Sequence, residues 1–184
     1  IGSNKWYDIV HNGSRYIVVG DGGYVSTSTD GKNWNSPKKI GTAYFWKSVA
    51  YGNGKFVTIG TNSRTLVGYC STSTDGINWT TPTNFSTSVT WNNIGFGNGK
   101  FVAVGESGYV MTSTDGVTWT NLKQITTNSS WLNVIYSNGK FIIVGSNGYI
   151  STSADGVTWS TPTQIKDESG NITNAPLYSI CEAF

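Results

Sequence analysis

Charged side chains are scarce in this sequence, and neither sign of charge dominates. Charged residues make up 12% of the 184 residues, and the formal net charge is +2. That is too little positive charge for a surface that binds nucleic acid through its phosphates. Lys38-Lys39 is the only basic doublet, and a solvated loop explains it. We therefore expect no nucleic-acid partner.

Histidine, cysteine and long apolar runs are also nearly absent. One histidine, His11, and two cysteines, Cys70 and Cys181, are too few and too dispersed for a His/Cys metal site, so we predict no metal and no cofactor. Two cysteines also exclude a disulfide scaffold. We expect buried thiols, although a bridge between the two stays open. No apolar run approaches the roughly 20 residues that span a bilayer, which argues against membrane insertion.

Aromatic residues and glycine are abundant instead. Aromatics are 14% of the chain and glycines number 23, which is typical of short strands joined by tight turns. All eight tryptophans fall at two positions of a repeating unit. The closing tryptophans end segments such as STSTDGKNW and lie 45, 40 and 40 residues apart; the opening tryptophans begin runs of alternating apolar residues and lie 40, 45 and 40 apart. Such a period indicates an array of similar units. The closing set is Trp34, Trp79, Trp119 and Trp159, and the opening set is Trp6, Trp46, Trp91 and Trp131.

The third repeat shows the pattern of strands most clearly. Apolar alternation and β-branched residues predict strands at 91–96, 101–104, 109–112 and 117–120. Asn98-Gly99 and Asp115-Gly116 are predicted turns, because both pairs tolerate positive φ. Four antiparallel strands in about 40 residues predict one twisted four-stranded sheet per repeat.

These units predict an all-β protein, a β-propeller with one four-stranded blade per repeat. A single domain would span residues 1–184, with repeats at about 1–40, 41–85, 86–125 and 126–165. Stacking the sheets around an axis covers both faces of each sheet; a linear β-solenoid and separate small sheets are the alternatives. After a linker at 166–176, residues 177–184 match the opening strand, with Leu177 at the tryptophan position. We therefore expect the first strand of a fifth unit there.

Four segments at regular spacing resemble the Asp-box, the bacterial neuraminidase repeat. They are Ser28–Trp34, Ser73–Trp79, Ser113–Trp119 and Ser153–Trp159. The resemblance covers residues 1 to about 165, and it implies a propeller whose boxes lie between the third and fourth strands, away from the ligand. The short Asp side chain can accept hydrogen bonds from nearby backbone amides. We therefore interpret the four box aspartates as structural turn residues and not as catalytic acids. They are Asp30, Asp75, Asp115 and Asp155.

The residues argue against sialidase activity. In the sialidase family three arginines bind the substrate carboxylate, because guanidinium groups bind it bidentately, but this chain has only Arg15 and Arg64. Other glycosidases need two opposed carboxylates. Asp21 and Glu106 share one repeat position, but uncharged residues hold it in the other two repeats, so turn variation explains them. We predict no catalytic residues and no enzymatic activity, with a glycoside hydrolase as the weakest alternative.

Binding is the function class that remains. In a propeller, the loops between successive repeats share one face with the loops between second and third strands, and here these loops are rich in Asn, Thr, Ser and Gln. Flat aromatic rings beside amides and hydroxyls suit sugars. For the opening tryptophans, packing between blades is the alternative role. The candidate ligand-binding residues are Trp6, Trp46, Trp91, Trp131, Tyr44, Phe45, Arg64 and Glu106.

The sequence thus favours a non-catalytic module that recognises a glycan or a cell-surface receptor, such as a lectin or a phage or bacterial adhesin. A protein-interaction scaffold is the alternative. Self-association is a further expected contact, since it would cover an open end of the array. Few charges and a β-rich surface favour an extracellular location or a virion or cell surface.

Overall fold

The structure, a computed structural model, describes residues 4–41, 45–62, 64–86 and 88–181. These residues form four antiparallel sheets of four strands, one sheet per repeat. The predicted all-β fold with four-stranded blades is therefore confirmed. The only helical elements in the described part of the chain are three single 3-10 turns, at Asp21–Gly23, Glu106–Gly108 and Ser146–Gly148.

The strands follow chain order across every sheet, so the first strand of each repeat lies at one edge and the fourth at the other. The first sheet contains β1 (Trp6–His11), β2 (Tyr16–Gly20), β3 (Tyr24–Ser28) and β4 (Lys38–Lys39). The second contains β5 (Phe45–Gly52), β6 (Lys55–Thr61), β7 (Gly68–Ser73) and β8 (Thr83–Ser86). The third contains β9 (Trp91–Gly97), β10 (Lys100–Gly105), β11 (Tyr109–Ser113) and β12 (Lys123–Gln124). The fourth contains β13 (Trp131–Ser137), β14 (Lys140–Gly145), β15 (Tyr149–Ser153) and β16 (Thr163–Gln164).

Asn-Gly pairs make the turns between the first two strands of the last three sheets. At Asn98 and Gly99, φ is +45° and +72°, which is the left-handed conformation required at both centres of a type I′ hairpin turn. Asparagine and glycine adopt this conformation at the least steric cost. The turn residues visible in the sequence therefore fix where these hairpins bend.

The fourth strand lies later in the chain than predicted. Residues 117–120 were expected to form it in the third repeat, but they belong to the connection after the box, and β12 begins at Lys123. The amides of Val117 and Thr118 donate to the Asp115 carboxylate at 2.8 and 2.7 Å. A backbone amide bonded to a side chain cannot also pair in a β-ladder, so pairing resumes only beyond Trp119.

The core lies between successive sheets. The opening strands contact one another in series, β1 with β5, β5 with β9 and β9 with β13. An apolar cluster fills each of these three spaces, and an opening tryptophan lies in each cluster. Burying such a ring contributes about 1.5–3 kcal/mol. This is the stacking of propeller blades, with opening strands innermost, and it differs from a solenoid or a set of separate sheets.

A row of polar side chains, here called the polar ladder, connects the inner strands. It consists of Asp8, Ser48, Asn93 and Asn133. In each inner strand the pairing register shifts beside the ladder residue, so the residue between it and the opening tryptophan has no pairing partner. Bulges of this kind redirect side chains. Here they accompany side chains that bond to the next sheet.

The final segment of the chain forms no strand where the structure describes it. The strand predicted at 177–184 is absent over residues 177–181, and residues 182–184 lie outside the described part. The Leu177 amide donates to the Gly145 carbonyl at 3.0 Å, but no regular pairing follows. Within the predicted linker, Lys166 and Ile172 form an isolated bridge. The repeat boundaries proposed from the sequence stay a prediction.

Candidate functional site

Three of the opening tryptophans lie inside the protein and offer no ring face to a ligand. Trp46, Trp91 and Trp131 have an exposed fraction of 0%. Trp6, at the first sheet, is half-buried, and its indole nitrogen is buried. The burial of Trp46, Trp91 and Trp131 corrects their assignment as ligand-binding residues, because the stacking of sheets brings the opening edge of a blade to the centre. The packing role fits their position. The ligand role of Trp6 stays a prediction.

The other predicted ligand residues are dispersed over two sheets. Phe45 begins β5 and is half-buried, whereas Arg64 is exposed in the loop between β6 and β7. Glu106 is exposed at the 3-10 turn between β10 and β11. Tyr44 lies outside the described residues. No contact among the described members of this set indicates a shared site.

Each box aspartate braces a turn through several hydrogen bonds. In the third sheet, Asp115 Oδ1 accepts from the amides of Val117 and Thr118 and from the Ser113 hydroxyl, the last at 2.9 Å. The Ser113 hydroxyl in turn accepts from the Gly116 amide at 2.8 Å. The same bonds recur in the other three boxes. This is the geometry expected of a structural turn residue.

These hydrogen bonds lower the pKa of the box carboxyls. Backbone donation from Asn33 and Lys32 holds the pKa of Asp30 well below its usual range, and donation from Asn78 and Ile77 does the same for Asp75. Donation from Thr158 and Val157 lowers the pKa of Asp155 to about 2. For a general acid the pKa should instead lie near the working pH. Electrostatics therefore favour the structural role.

Three of the concave surfaces lie between the outermost strand of one sheet and the closing tryptophan segment of the next. We call them the rim grooves. Groove one lies between residues 38–41 and 79–82 and has a volume of about 280 Å³. Groove two, of about 280 Å³, lies between residues 85–86 and 119–122. Groove three, of about 320 Å³, lies between residues 123–125 and 159–162. One type of surface thus occurs at three successive junctions.

The boxes fix the position of two groove tryptophans. Trp79 Nε1 donates to the Gly76 carbonyl and Trp159 Nε1 to the Gly156 carbonyl, both at 3.1 Å. Both rings are half-buried, so part of each ring faces the groove. Trp119 occupies the same position in groove two.

Exposed aliphatic side chains occupy the same position in the last three boxes, two residues before the groove tryptophan. They are Ile77, Val117 and Val157, with exposed fractions of 38%, 48% and 42%. Exposed lysines flank grooves one and three. Lys123 also spans a junction, since its Nζ donates to the Val157 carbonyl at 2.9 Å. The rim therefore combines indole rings, aliphatic groups and positive charge.

The rim grooves were not predicted from the sequence, because the fourth strand of the third repeat was expected at 117–120, which includes Trp119. The sequence does contain a pattern that marks this segment. A Thr or Ser follows each of Trp79, Trp119 and Trp159, and a Pro or Leu lies three residues after each tryptophan. The position of the outermost strand was needed to show that this segment lines a groove.

The role of Asp8 between two sheets was also not predicted from the sequence. Its carboxylate lies between the first two sheets and accepts from the Ser48 hydroxyl and the Val49 amide. Burial raises the pKa of Asp8, against the smaller lowering effect of bonds from Ser48, Val49 and Ile9. The polar ladder contains no second carboxyl, so this acid serves the junction between sheets.

The remaining chemistry-bearing residues form no cluster. Among the described residues, no three His, Cys, Asp or Glu side chains are close enough to bind a metal ion together. His11 stacks on Tyr16 with ring centroids 4.0 Å apart. Cys70 is buried and Cys181 exposed, and both thiols are free. In the part of the chain that is described, no helix has the length and hydropathy to cross a bilayer.

The fold and the repeated junctions define the chain as part of a β-propeller. It matches the DUF6242 beta propeller domain over residues 38–181 and belongs to that family. The match is to this family and not to the neuraminidase repeat, so the Asp-box stays a resemblance of the four segments. No functionally curated protein matches the chain.

Several solved propellers share the fold. The structure of YCF48 bound to D1 peptide is similar with a TM-score of 0.57 and 20% identity, over 82% of this chain and 50% of that one. The Pan2 WD40 domain of Neurospora crassa is similar with a TM-score of 0.68 and 8% identity, over 88% of this chain and 50% of that one. A luciferin-regenerating enzyme is similar with a TM-score of 0.62 and 11% identity, over 90% of this chain and 64% of that one. The chain thus spans 50–64% of the length of these proteins. At such identities the similarity shows the fold alone, and the fold occurs in both binding proteins and enzymes.

Proposed function

We propose that the chain is a non-catalytic binding propeller that contacts a protein partner through its rim grooves. The observation that carries this proposal is the recurrence of one surface at three junctions, with an indole ring in each groove and an exposed aliphatic side chain two residues before each of these tryptophans. Aromatic residues in partly enclosed positions are typical anchors of protein interfaces. That YCF48 is solved with a bound peptide supports a peptide-binding role for this fold.

The charge of the rim suggests the chemistry of the partner. Lys38 and Lys39 line groove one, and Lys123 lines groove three. Among the residues that the structure describes, no acidic side chain lines any of the three grooves. A segment that carries aliphatic or aromatic side chains next to Asp or Glu would complement this surface. The outermost strands are short, and two of the four carry lysines. Because both features disfavour strand addition, we expect recognition through side chains.

A glycan is the second candidate ligand, at the closing tryptophans. In groove two, Thr120 and Asn121 lie next to Trp119, and in groove three Ser160 and Thr161 lie next to Trp159. An aromatic ring beside hydroxyl and amide groups suits a sugar. Single sites of this shallow type would bind weakly and gain strength through multivalency. The lectin or adhesin role and the surface location stay proposals tied to this candidate.

Selection from a random-peptide phage library tests the leading proposal. The immobilised full chain should enrich peptides that combine apolar with acidic residues. Titration of the synthetic peptides, followed by tryptophan fluorescence, should give affinities that fall with salt, because exposed charge pairs are screened. Replacing Ile77, Val117 and Val157 together with serine should weaken binding at least about tenfold. Lys32 holds the same box position in the first sheet but lines none of the three grooves, so Lys32→Ser is the matched control.

The outcomes separate the two candidates. Absence of enriched peptides, or peptides that bind the triple variant as tightly as the native chain, would exclude the protein-binding proposal. A glycan array probed with multimerised protein tests the second candidate. Saccharide binding that is insensitive to salt and lost in Trp119→Ala would favour the glycan. A blank array would exclude it.

A further inference from the structure

The polar ladder follows one rule at every junction between sheets. The ladder side chain of one inner strand accepts a hydrogen bond from the backbone amide that follows the ladder residue of the next inner strand. Asp8 accepts from Val49 at 3.0 Å, Ser48 from Ile94 at 3.2 Å and Asn93 from Val134 at 3.1 Å. An aspartate, a serine and an asparagine perform the same task, so the acceptor oxygen is the shared feature.

The rule leaves one acceptor unused. Asn133 is the ladder residue of the fourth sheet, and its Oδ1 is buried without a hydrogen-bond partner. Leaving a buried acceptor unpaired is costly, and at the three earlier junctions the matching oxygen is satisfied by the next sheet. The outer face of β13 therefore has the polar feature of a junction but lacks the amide donor.

The segment that begins at Leu177 approaches this face in the matching register. Its sequence Leu177-Tyr-Ser-Ile180 aligns with the start of β13, Trp131-Leu-Asn-Val134, so Ile180 takes the place of the amide donor. The Leu177 amide already bonds to the Gly145 carbonyl. At an earlier junction the amide of Trp91, at the aligned position, bonds to the Thr61 hydroxyl at 3.0 Å, and Thr61 directly follows the glycine that aligns with Gly145.

The burial of the segment agrees with that register. Leu177 and Ile180 are half-buried, whereas Tyr178 has an exposed fraction of 74%. At the start of β9 and β13, the first and fourth residues are likewise more buried than the two between them. One side of the segment thus already faces the protein.

We propose that the outer face of β13 is the docking surface for residues 177–181, and that the Ile180 amide donates to Asn133 Oδ1 when this segment docks as an inner strand. The ladder then sets the register of each new inner strand against the preceding one. A shift by one residue would move a different amide to the acceptor and turn the apolar side chains away from β13. A second copy of the chain is the competing occupant, because Ile9 of β1 is exposed where its counterparts in the other inner strands are buried.

Amide hydrogen exchange of Ile180 in the full chain tests this proposal. In the native chain we expect the Ile180 amide to exchange at least about tenfold more slowly than in an unstructured peptide. Asn133→Leu removes the acceptor and should accelerate exchange about tenfold, equivalent to about 1.4 kcal/mol. Asn133→Ser and Asn133→Asp keep an acceptor of the type used in the second and first sheets, and they should retain the protection. Ile180→Pro removes the amide donor and lies outside the four sheets. It should therefore accelerate exchange of the Leu177 and Tyr178 amides as well.

The alternative results would overturn the proposal. One such result is an Ile180 amide that exchanges as fast as in the unstructured peptide. The other is an Ile180 amide that stays protected in Asn133→Leu, while protection of the β10 amides shows that this variant is folded. Protection that appears in β1 instead, rises with protein concentration and accompanies a dimer by light scattering would assign the face to a second copy.

Discussion

Asp115→Ala is the sharpest test of the structural role of the boxes, because it removes a complete bracing group at a central sheet. The carboxylate accepts two backbone amides and one hydroxyl. The amides of Val117 and Thr118 belong to exposed residues, so water can replace part of what they lose. Removing the carboxylate should resemble loss of a helix N-cap, which costs about 0.5–2 kcal/mol, with a further contribution from the unpaired Ser113 hydroxyl.

The expected loss of unfolding free energy is therefore about 1–3 kcal/mol. For a chain of this size that corresponds to a fall in Tm of about 3–10 °C, which differential scanning calorimetry resolves. Affinity for a selected ligand should stay unchanged, because the box carboxylate lies outside the three grooves. Thr114→Ala, which truncates the exposed neighbouring side chain, is the matched control and should leave Tm within about 1 °C.

The pH dependence provides an independent check. Burial raises the pKa of Asp115, but hydrogen bonds from Val117 and Thr118 outweigh it and lower the pKa to about 2. Since the folded-state value lies below the unfolded value of about 3.9, the stabilisation is present above that value and is lost as pH falls through about 2. The difference in Tm between the native chain and Asp115→Ala should shrink between pH 5 and pH 2. Lost binding with an unchanged Tm, or a difference independent of pH, would refute the structural role.

Two further substitutions test the junctions between sheets. Burial raises the pKa of Asp8, so its contribution to stability is complete below the unfolded value and is lost as pH rises through the folded value. Asp8→Asn, which imitates Asn93, should gain stability relative to the native chain as pH rises above the unfolded pKa of about 3.9; a gain that does not change with pH in thermal melts would contradict this. Trp91→Ala should lower the free energy of unfolding by about 3–5 kcal/mol in urea titrations, more than Trp119→Ala at the half-buried closing position. An equal or smaller loss would show that the opening tryptophans are not the main packing residues.

Local chemistry made much of the fold predictable from the sequence. The strands β9 to β11 lie within one residue of their predicted bounds, because alternation and β-branching act over a few neighbouring residues. The Asn-Gly and Asp-Gly turns were predictable for the same reason, since positive φ is a property of the residue itself. The four-fold repetition indicated that the same order of strands and turns recurs in every sheet.

The site depended on contacts between sheets, which the local pattern does not contain. Both sets of tryptophans are equally regular in sequence, yet stacking places Trp91 at the centre and leaves Trp119 at the rim. The outermost strand begins at Lys123 and not at residue 117, because the amides of Val117 and Thr118 donate to the Asp115 carboxylate and cannot pair in a strand at 117–120. The acceptor role of Asn133 appears only when the ladder is followed across three junctions. The sequence by itself determined the repeating unit and its turns, since these depend on near neighbours. Only the tertiary structure decided which side chains are buried, which line grooves and which acceptor stays unpaired, because burial depends on the sheets packed on either side.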